Sequence, residues 1–297
     1  VSATNQTICE GETTTINASG NGAVSFNVYD AITNGNLLGQ TPLAVSPTTN
    51  TTYYVESLSA NGCAHLGDRV DIQITVNPAP DLPSVFATDE LICEGENTTI
   101  NATGNGASSY NVYDAITNGN LLGQTPVVVS PTTNTTYYVE ALSANGCAHL
   151  GDRVEITITV EELPDTPTVS ATNQIICEGE ATTINASGYG ATSFDVYNAN
   201  INGVLLGQTP LTVSPTSTTT YYVEALSSNG CAHAGNRVNI TITVNPAPNT
   251  PNVSATDQNI CAGETTIINA NGLGATSFNV YDAITNGNLL GQTPLAV

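Results

Sequence analysis

The feature that most constrains the fold of this chain is a repeat of constant length. Residues 52–65, which include Tyr53 and end at a Cys-Ala-His motif, return with few changes at 136–149 and 220–233. Cys63, Cys147 and Cys231 are each 84 residues apart, and no insertion or deletion disturbs that spacing. A unit of this size is a domain rather than one coil of a solenoid, so the sequence predicts tandem domains.

The repeat divides the chain into three complete domains and part of a fourth. The predicted domains are 1–80, 81–164 and 165–248, followed by 249–297, which holds only the first part of a repeat. A partial domain exposes its apolar faces and should not fold alone, so we expect the sequence to be a piece of a longer protein. The joints at 77–83, 161–167 and 245–251 contain several prolines. Pro-rich linkers are semi-rigid spacers, which predicts an elongated array.

Each repeat shows strand periodicity and no helical periodicity. Val70, Ile72, Ile74 and Val76 alternate with polar residues, which is typical of a half-buried strand, and Tyr53 and Val55 share one face of another. Seven short strands separated by turns predict an all-β fold of tandem immunoglobulin-like β-sandwiches. Residues 8–12 are predicted to form a corner between strands. The dipeptide at 34–35, Asn-Gly, predicts a two-residue hairpin.

The charge balance excludes some partners. The chain has 25 acidic residues against three arginines and no lysine. Nucleic acid binding requires cations that neutralise phosphates, so it is excluded, and an anionic membrane surface is disfavoured for the same reason. No apolar segment is long enough to span a bilayer, which predicts no direct membrane insertion.

The cysteines predict disulfide bonds and therefore an extracellular protein. Cys9 and Cys63 belong to one repeat, and their pairing within the repeat is favoured; it would stabilise each domain by roughly 4 kcal/mol. Two pairings between neighbouring repeats stay open, Cys9 with Cys147 or Cys63 with Cys93. The predicted structural disulfide cysteines are Cys9, Cys63, Cys93, Cys147, Cys177 and Cys231, and the partner of Cys261 is expected outside this sequence.

The sequence predicts no catalytic residue. His65 lies near Cys63 and Asp68, but the third repeat has Asn236 where the first has Asp68, so a His–Asp catalytic pair is not maintained. Arg69 is expected to pair with a carboxylate, either Glu10 or Glu56. We therefore predict that the chain is not an enzyme.

No cofactor is predicted, and calcium is kept as an alternative. Glu10 with Glu12, or Asp30 with Asn34 and Asn36, are the best calcium candidates, but neither fits an EF-hand loop. Glycan binding usually needs an exposed aromatic platform, and the chain has no Trp. Nine N-x-S/T sequons, three of them at the equivalent positions Asn17, Asn101 and Asn185, leave attachment of surface glycans open.

The motifs resemble those of a known family. The sequence Ile-Cys-Glu-Gly-Glu at 8–12, Thr-Thr-Tyr-Tyr-Val-Glu at 51–56, and Asn-Gly-Cys followed by Arg-Val at 61–70 are similar to immunoglobulin-like repeats of large Bacteroidota surface proteins. The resemblance implies export by the type IX secretion system, association with gliding motility and an adhesin-like or filamentous protein.

The periodicity and the resemblance together give two hypotheses of function. The first is a structural repeat region of an extracellular surface stalk or filament, a mechanically stable spacer for adhesion, whose partners are other copies of itself. The alternative is a multivalent glycan- or calcium-dependent adhesion module.

Overall fold

The computed structural model describes residues 1–297 and contains only strands, turns and loops. None of its segments is a helix of the length and hydrophobicity needed to cross a membrane. The chain divides into two compact units, residues 1–161 and 162–297. The predicted boundaries of the individual repeats stay a prediction.

Eight strands form each complete repeat. In the first repeat they are β1 (Ser2–Ala3), β2 (Thr7–Cys9), β3 (Thr14–Asn17), β4 (Ser25–Tyr29), β5 (Leu37–Gln40), β6 (Leu43–Val45), β7 (Thr51–Leu58) and β8 (Val70–Asn77). In the second they are β9 (Ser84–Ala87), β10 (Leu91–Cys93), β11 (Thr98–Thr103), β12 (Ser109–Tyr113), β13 (Leu121–Gln124), β14 (Val127–Val129), β15 (Thr135–Leu142) and β16 (Val154–Glu161).

The third repeat has the same eight strands, and the partial repeat has five. The third contains β17 (Thr168–Ala171), β18 (Ile175–Cys177), β19 (Thr182–Ser187), β20 (Ser193–Tyr197), β21 (Leu205–Gln208), β22 (Leu211–Val213), β23 (Thr219–Leu226) and β24 (Val238–Asn245). The last stretch contains β25 (Asn252–Ala255), β26 (Ile267–Asn271), β27 (Asn279–Tyr281), β28 (Leu289–Gln292) and β29 (Leu295–Ala296).

Two sheets pack face to face in each complete repeat, as predicted for an immunoglobulin-like sandwich. In the first repeat a three-stranded sheet has the order β1-β3-β6, and a five-stranded sheet has the order β2-β8-β7-β4-β5. All pairings are antiparallel except that of β2 with β8, which is parallel. The eighth strand, β2, was predicted as part of a corner. It was missed because three residues are too short to show an alternating pattern.

The core of the first repeat combines five of the residues predicted to face inward, all on β7 and β8, with side chains from β2, β3 and β4. Buried side chains come from both sheets: Ile8, Ile16, Val28, Tyr53, Val55, Ile72, Ile74 and Val76. Ile8 is the single buried residue of β2 and anchors that strand. Val70 was also expected inside but is 51% exposed; it is the first residue of β8.

The turn between β4 and β5 is longer than predicted. Residues 30–36 connect the two strands, so the expected two-residue hairpin is wrong. Asn34 does adopt the left-handed conformation, with φ of 52°. Gly35 is required for space, because a Cβ there would lie 2.6 Å from the Ala31 nitrogen. The loop is instead closed by Asp30, whose carboxylate accepts hydrogen bonds from the Asn36 backbone N–H at 2.6 Å and from its side-chain amide at 2.8 Å.

The partial repeat exposes apolar surface, as expected. Val280 and Ile268 are half-buried, whereas the equivalent Val28 and Ile16 of the first repeat are completely buried. The reason is that residues 249–297 contain no counterparts of β7 and β8, which cover these side chains in a complete repeat.

Candidate functional site at the repeat junction

The parallel strand β2 determines where the first cysteine of a repeat lies. Cys9 is aligned with Asn77, the last residue of β8, so it lies at the end of the domain from which the linker leaves. Cys63 lies in the loop that precedes β8, at the opposite end of that strand. An eight-residue strand is about 25 Å long, which is far beyond the reach of a disulfide.

Cys9 is bonded to Cys147 of the second repeat, with a Cα–Cα distance of 5.5 Å. The favoured pairing of Cys9 with Cys63 within the repeat is therefore wrong, and one of the two open alternatives is formed. The other alternative, Cys63 with Cys93, is also wrong, because Cys63 carries a free thiol. The cause is that the two cysteines of the first domain, Cys9 and Cys63, lie at its opposite ends, too far apart to bond to each other.

The remaining cysteines fall into two groups. Cys93 is part of a disulfide bond, and so is Cys231. Cys177, which was predicted in a disulfide, has a free and exposed thiol in this structure, as does Cys261. The partner expected for Cys261 stays a prediction.

The loop that contains Cys147 is held by local hydrogen bonds. We call residues 143–152 the cysteine loop of the second repeat, and 59–68 that of the first. Ser143 donates its backbone N–H to the Cys147 carbonyl at 2.8 Å, and its Oγ accepts the Cys147 N–H at 3.1 Å. These bonds make a rigid turn that presents the sulfur toward the first repeat. This serine was not predicted to have a role, although a serine lies four residues before the second cysteine of every complete repeat.

The histidine of the cysteine loop has a structural role. His149 is 5% exposed; its Nδ1 accepts the Ala141 N–H at 3.0 Å, and its Nε2 contacts the Asp152 carbonyl at 3.0 Å. Both ring nitrogens are thereby used, and neither faces a carboxylate or a thiol. The carbonyl of Asn236 replaces that of Asp152 in the third repeat, which explains why this position tolerates Asn.

The linker between the first two repeats is bound to both domains. The Ala79 N–H donates to Glu10 Oε2 at 3.3 Å. Asp81 donates its N–H to the Asn105 carbonyl at 3.0 Å and accepts from the Asn105 side chain at 3.3 Å. Pro80 is buried, and its Cα lies only 3.3 Å from the position of a Cβ on Gly106. The linker is therefore docked along its length, and it limits bending at this junction.

The calcium candidates are occupied by hydrogen bonds within the protein. Glu12 Oε2 accepts the Cys9 N–H at 2.8 Å, and Glu10 binds the linker. The hydrogen bonds from Asn36, first from its side chain and then from its backbone, hold the pKa of Asp30 below its ordinary value. No group of three or more His, Cys, Asp or Glu residues is arranged to hold a metal ion.

Each arginine binds the expected carboxylate and also an aromatic ring. Arg69 Nε lies 3.7 Å from Glu56 Oε1, so the pairing with Glu56 is confirmed and that with Glu10 is wrong. The guanidinium stacks 3.2 Å from the centre of the Tyr29 ring, and Nη1 donates to the Ala31 carbonyl at 2.9 Å. This cluster fixes the start of β8 to the loop after β4 and is repeated with Arg153 and Arg237.

The sequence comparison gives one family. The sequence model of the family described as "Ig-like domain CHU_C associated" matches residues 1–78, 80–161 and 164–246, which together are most of the chain. None of the curated protein sequences matches the chain.

Solved structures with a similar fold have low sequence identity. The fibronectin(III)-like modules of Clostridium thermocellum CbhA are 16% identical, with a TM-score of 0.35, over 55% of this chain and 95% of that one. An ICAM-5 D1–D4 ectodomain fragment is 10% identical, with a TM-score of 0.39, over 100% of this chain and 89% of that one. Murine CEACAM1b is 13% identical, with a TM-score of 0.31, over 55% of this chain and 99% of that one.

Proposed function

The chain belongs to the family of CHU_C-associated Ig-like domains, and we propose that it is a mechanically stable spacer in an extracellular bacterial stalk or filament. Ig-like tandem repeat domains are typically non-catalytic structural modules. The spacer holds an adhesive part of the protein away from the cell, and its length follows from the number of repeats. Its motifs resemble those of Bacteroidota surface proteins, which favours export by the type IX secretion system.

The disulfide between consecutive repeats is the observation that best supports this proposal. The bond from Cys9 to Cys147 has a sequence separation of 138 residues, so it closes a loop that includes most of two domains. Under tension these residues cannot extend while the bond is intact. A bond within one domain would protect only that domain and leave the junction free.

The docked linker and the charge of the chain support the same function. The linker is hydrogen-bonded to Glu10 on one side and to Asn105 on the other, which stiffens the junction. The net charge of −22 at pH 7 keeps neighbouring molecules apart in solution. Disulfides persist in oxidising surroundings, which favours an extracellular location.

The spacer function is tested by asking whether the repeats themselves bind a ligand. We expect no saturable signal from the chain on a glycan array, and no change in its melting temperature on titration with Ca²⁺. A saturable glycan signal, or a calcium-dependent rise in melting temperature, would show that the repeats are a binding module instead. Asp114→Asn is the matched control for calcium, because it removes one candidate carboxylate. That carboxylate already closes its own loop through hydrogen bonds from Asn120, so the variant should respond to added Ca²⁺ as the unchanged chain does.

A further inference from the structure

The cysteine loop of the first repeat is an uncovered copy of a surface that is covered in the second repeat. Residues 58–70 and 142–154 have the same sequence, so any difference in burial comes from the neighbouring domain. Cys147 is 1% exposed, whereas Cys63 is exposed. Leu150 is 52% exposed, whereas Leu66 is 100% exposed.

The cover in the second repeat is the corner of the first, residues 8–12. Cys9 forms the disulfide with Cys147. A Cβ on Gly11 would lie 3.0 Å from Leu150 Cδ2, so the leucine packs directly against the glycine backbone. The covered surface thus combines one cysteine, Cys147, with one apolar side chain, Leu150. The leucine can pack against the corner because Gly11 has no side chain.

The uncovered loop already has the conformation of the covered one. The Ser59 N–H donates to the Cys63 carbonyl at 2.9 Å, and Ser59 Oγ accepts the Cys63 N–H at 3.1 Å, which match the bonds in the second repeat. A depression of about 250 Å³ beside Cys63 is lined by Ser57, Ser59 and His65, among others. Because the loop is preformed, binding requires no rearrangement and little loss of conformational entropy.

A suitable partner surface exists on every complete repeat. Residues 8–12 and 176–180 have the same sequence, and Cys177 is exposed with a free thiol. The Cys177 N–H donates to Glu180 Oε2 at 2.8 Å, which repeats the bond between Cys9 and Glu12. A copy of this domain with a free first cysteine therefore presents a corner that has the same local hydrogen bond as the bonded corner around Cys9.

We propose that the exposed cysteine loop of the first repeat is a docking surface for the corner, residues 8–12, of another copy of this domain that lies on its N-terminal side. Docking is completed by a disulfide between Cys63 and the cysteine of that copy equivalent to Cys9. Its formation removes two electrons and two protons from the two thiols. A small-molecule disulfide such as oxidised glutathione takes them and becomes two thiols. The inference deepens the spacer function by naming the partner of this surface.

The test is a lengthened chain in which a second copy of residues 1–84 precedes Val1, which preserves the repeat register. In the added copy the position equivalent to Cys63 is serine, and the exposed position equivalent to Thr7 is also serine, so that its peptides differ in mass from the original ones. Both chains are equilibrated in a glutathione redox buffer, labelled with a thiol-specific alkylating agent and digested without reduction. We expect labelling of Cys63 in the lengthened chain to fall by at least about tenfold relative to the 297-residue chain. Mass spectrometry should find Cys63 linked to the added copy's first cysteine.

Two controls keep the result interpretable. The bond between Cys9 and Cys147 must be present in both chains, which reports that the original repeats are folded. A lengthened chain whose added copy has Ser in place of its first cysteine should restore labelling of Cys63, while the amides of residues 59–66 remain slower to exchange than in the 297-residue chain. This second readout detects docking without the covalent bond.

The proposal is overturned if Cys63 stays fully reactive in the lengthened chain, or if it pairs with a cysteine at another repeat position. It is also overturned if residues 59–66 exchange equally fast in the two chains. None of these results would contradict the spacer function, which is tested separately by measuring ligand binding.

Discussion

A chain that retains only Cys9 and Cys147 should be much shorter under full tension than a chain without cysteines. The bond closes a separation of 138 residues, and an extended chain spans about 3.3–3.6 Å per residue. The fully stretched chain is therefore shorter by roughly 460–500 Å when the disulfide is intact than when it is reduced. On the chain-entropy account the same bond stabilises residues 1–161 against unfolding by about 5 kcal/mol.

The assay is single-molecule stretching with handles attached enzymatically at the two termini. The five remaining cysteines are replaced by serine, so that no other bond shortens the chain: Cys63, Cys93, Cys177, Cys231 and Cys261. Reductant added at constant force should release one step of the calculated length. The matched control, which also has Cys9→Ser and Cys147→Ser, should show the full length from the start. Equal lengths for the oxidised chain and this control would refute the assignment of the bond to consecutive repeats.

Three further predictions concern the interior of a repeat. Arg153→Ala should destabilise the second repeat by about 2–3 kcal/mol, since it removes an ion pair, a ring contact and a hydrogen bond to a carbonyl; Arg153→Lys should recover only part, as measured by urea denaturation. Hydrogen bonds from Asn120 hold the pKa of Asp114 below its ordinary value of 3.8. The stabilisation that the ionised carboxylate gives to the folded state is therefore complete above pH 3.8, and it is lost as the pH falls through the lower pKa of the folded state. Exchange protection of the Asn120 amide should thus fall in acid, whereas the equivalent loop closed by Asn198 should be insensitive; equal acid sensitivity would contradict this. Gly119→Ala should cost about 1–3 kcal/mol, because its Cβ would lie 2.6 Å from a backbone nitrogen, and an unchanged melting temperature would refute that.

Local patterns predicted the sandwich and much of its core. Ile72, Ile74 and Val76 alternate with polar residues, and all three are buried. The ion pair between Arg69 and Glu56 was also anticipated, because a lone cation in an acidic domain has few alternatives. These features depend on neighbours along one strand or on simple charge balance, and both can be read from the sequence.

Loop geometry was predicted only in part. Asn34 adopts the positive φ that its dipeptide indicated, yet the turn around it spans residues 30–36. The difference arises from Asp30, whose carboxylate closes the loop through two hydrogen bonds to Asn36. Such side-chain closure of a longer loop competes with a tight hairpin, and the dipeptide alone does not distinguish the two.

The sequence by itself determined the length of the unit, the alternating faces of its strands and the equivalence of its cysteines. Only the tertiary structure decided which cysteines meet. The parallel alignment of Cys9 with Asn77 places that thiol at one end of the domain, while Cys147 lies at the facing end of the next. Parallel pairing joins strands that are distant in sequence, so a three-residue strand leaves no local pattern of its direction. The covalent link between domains depends on that direction.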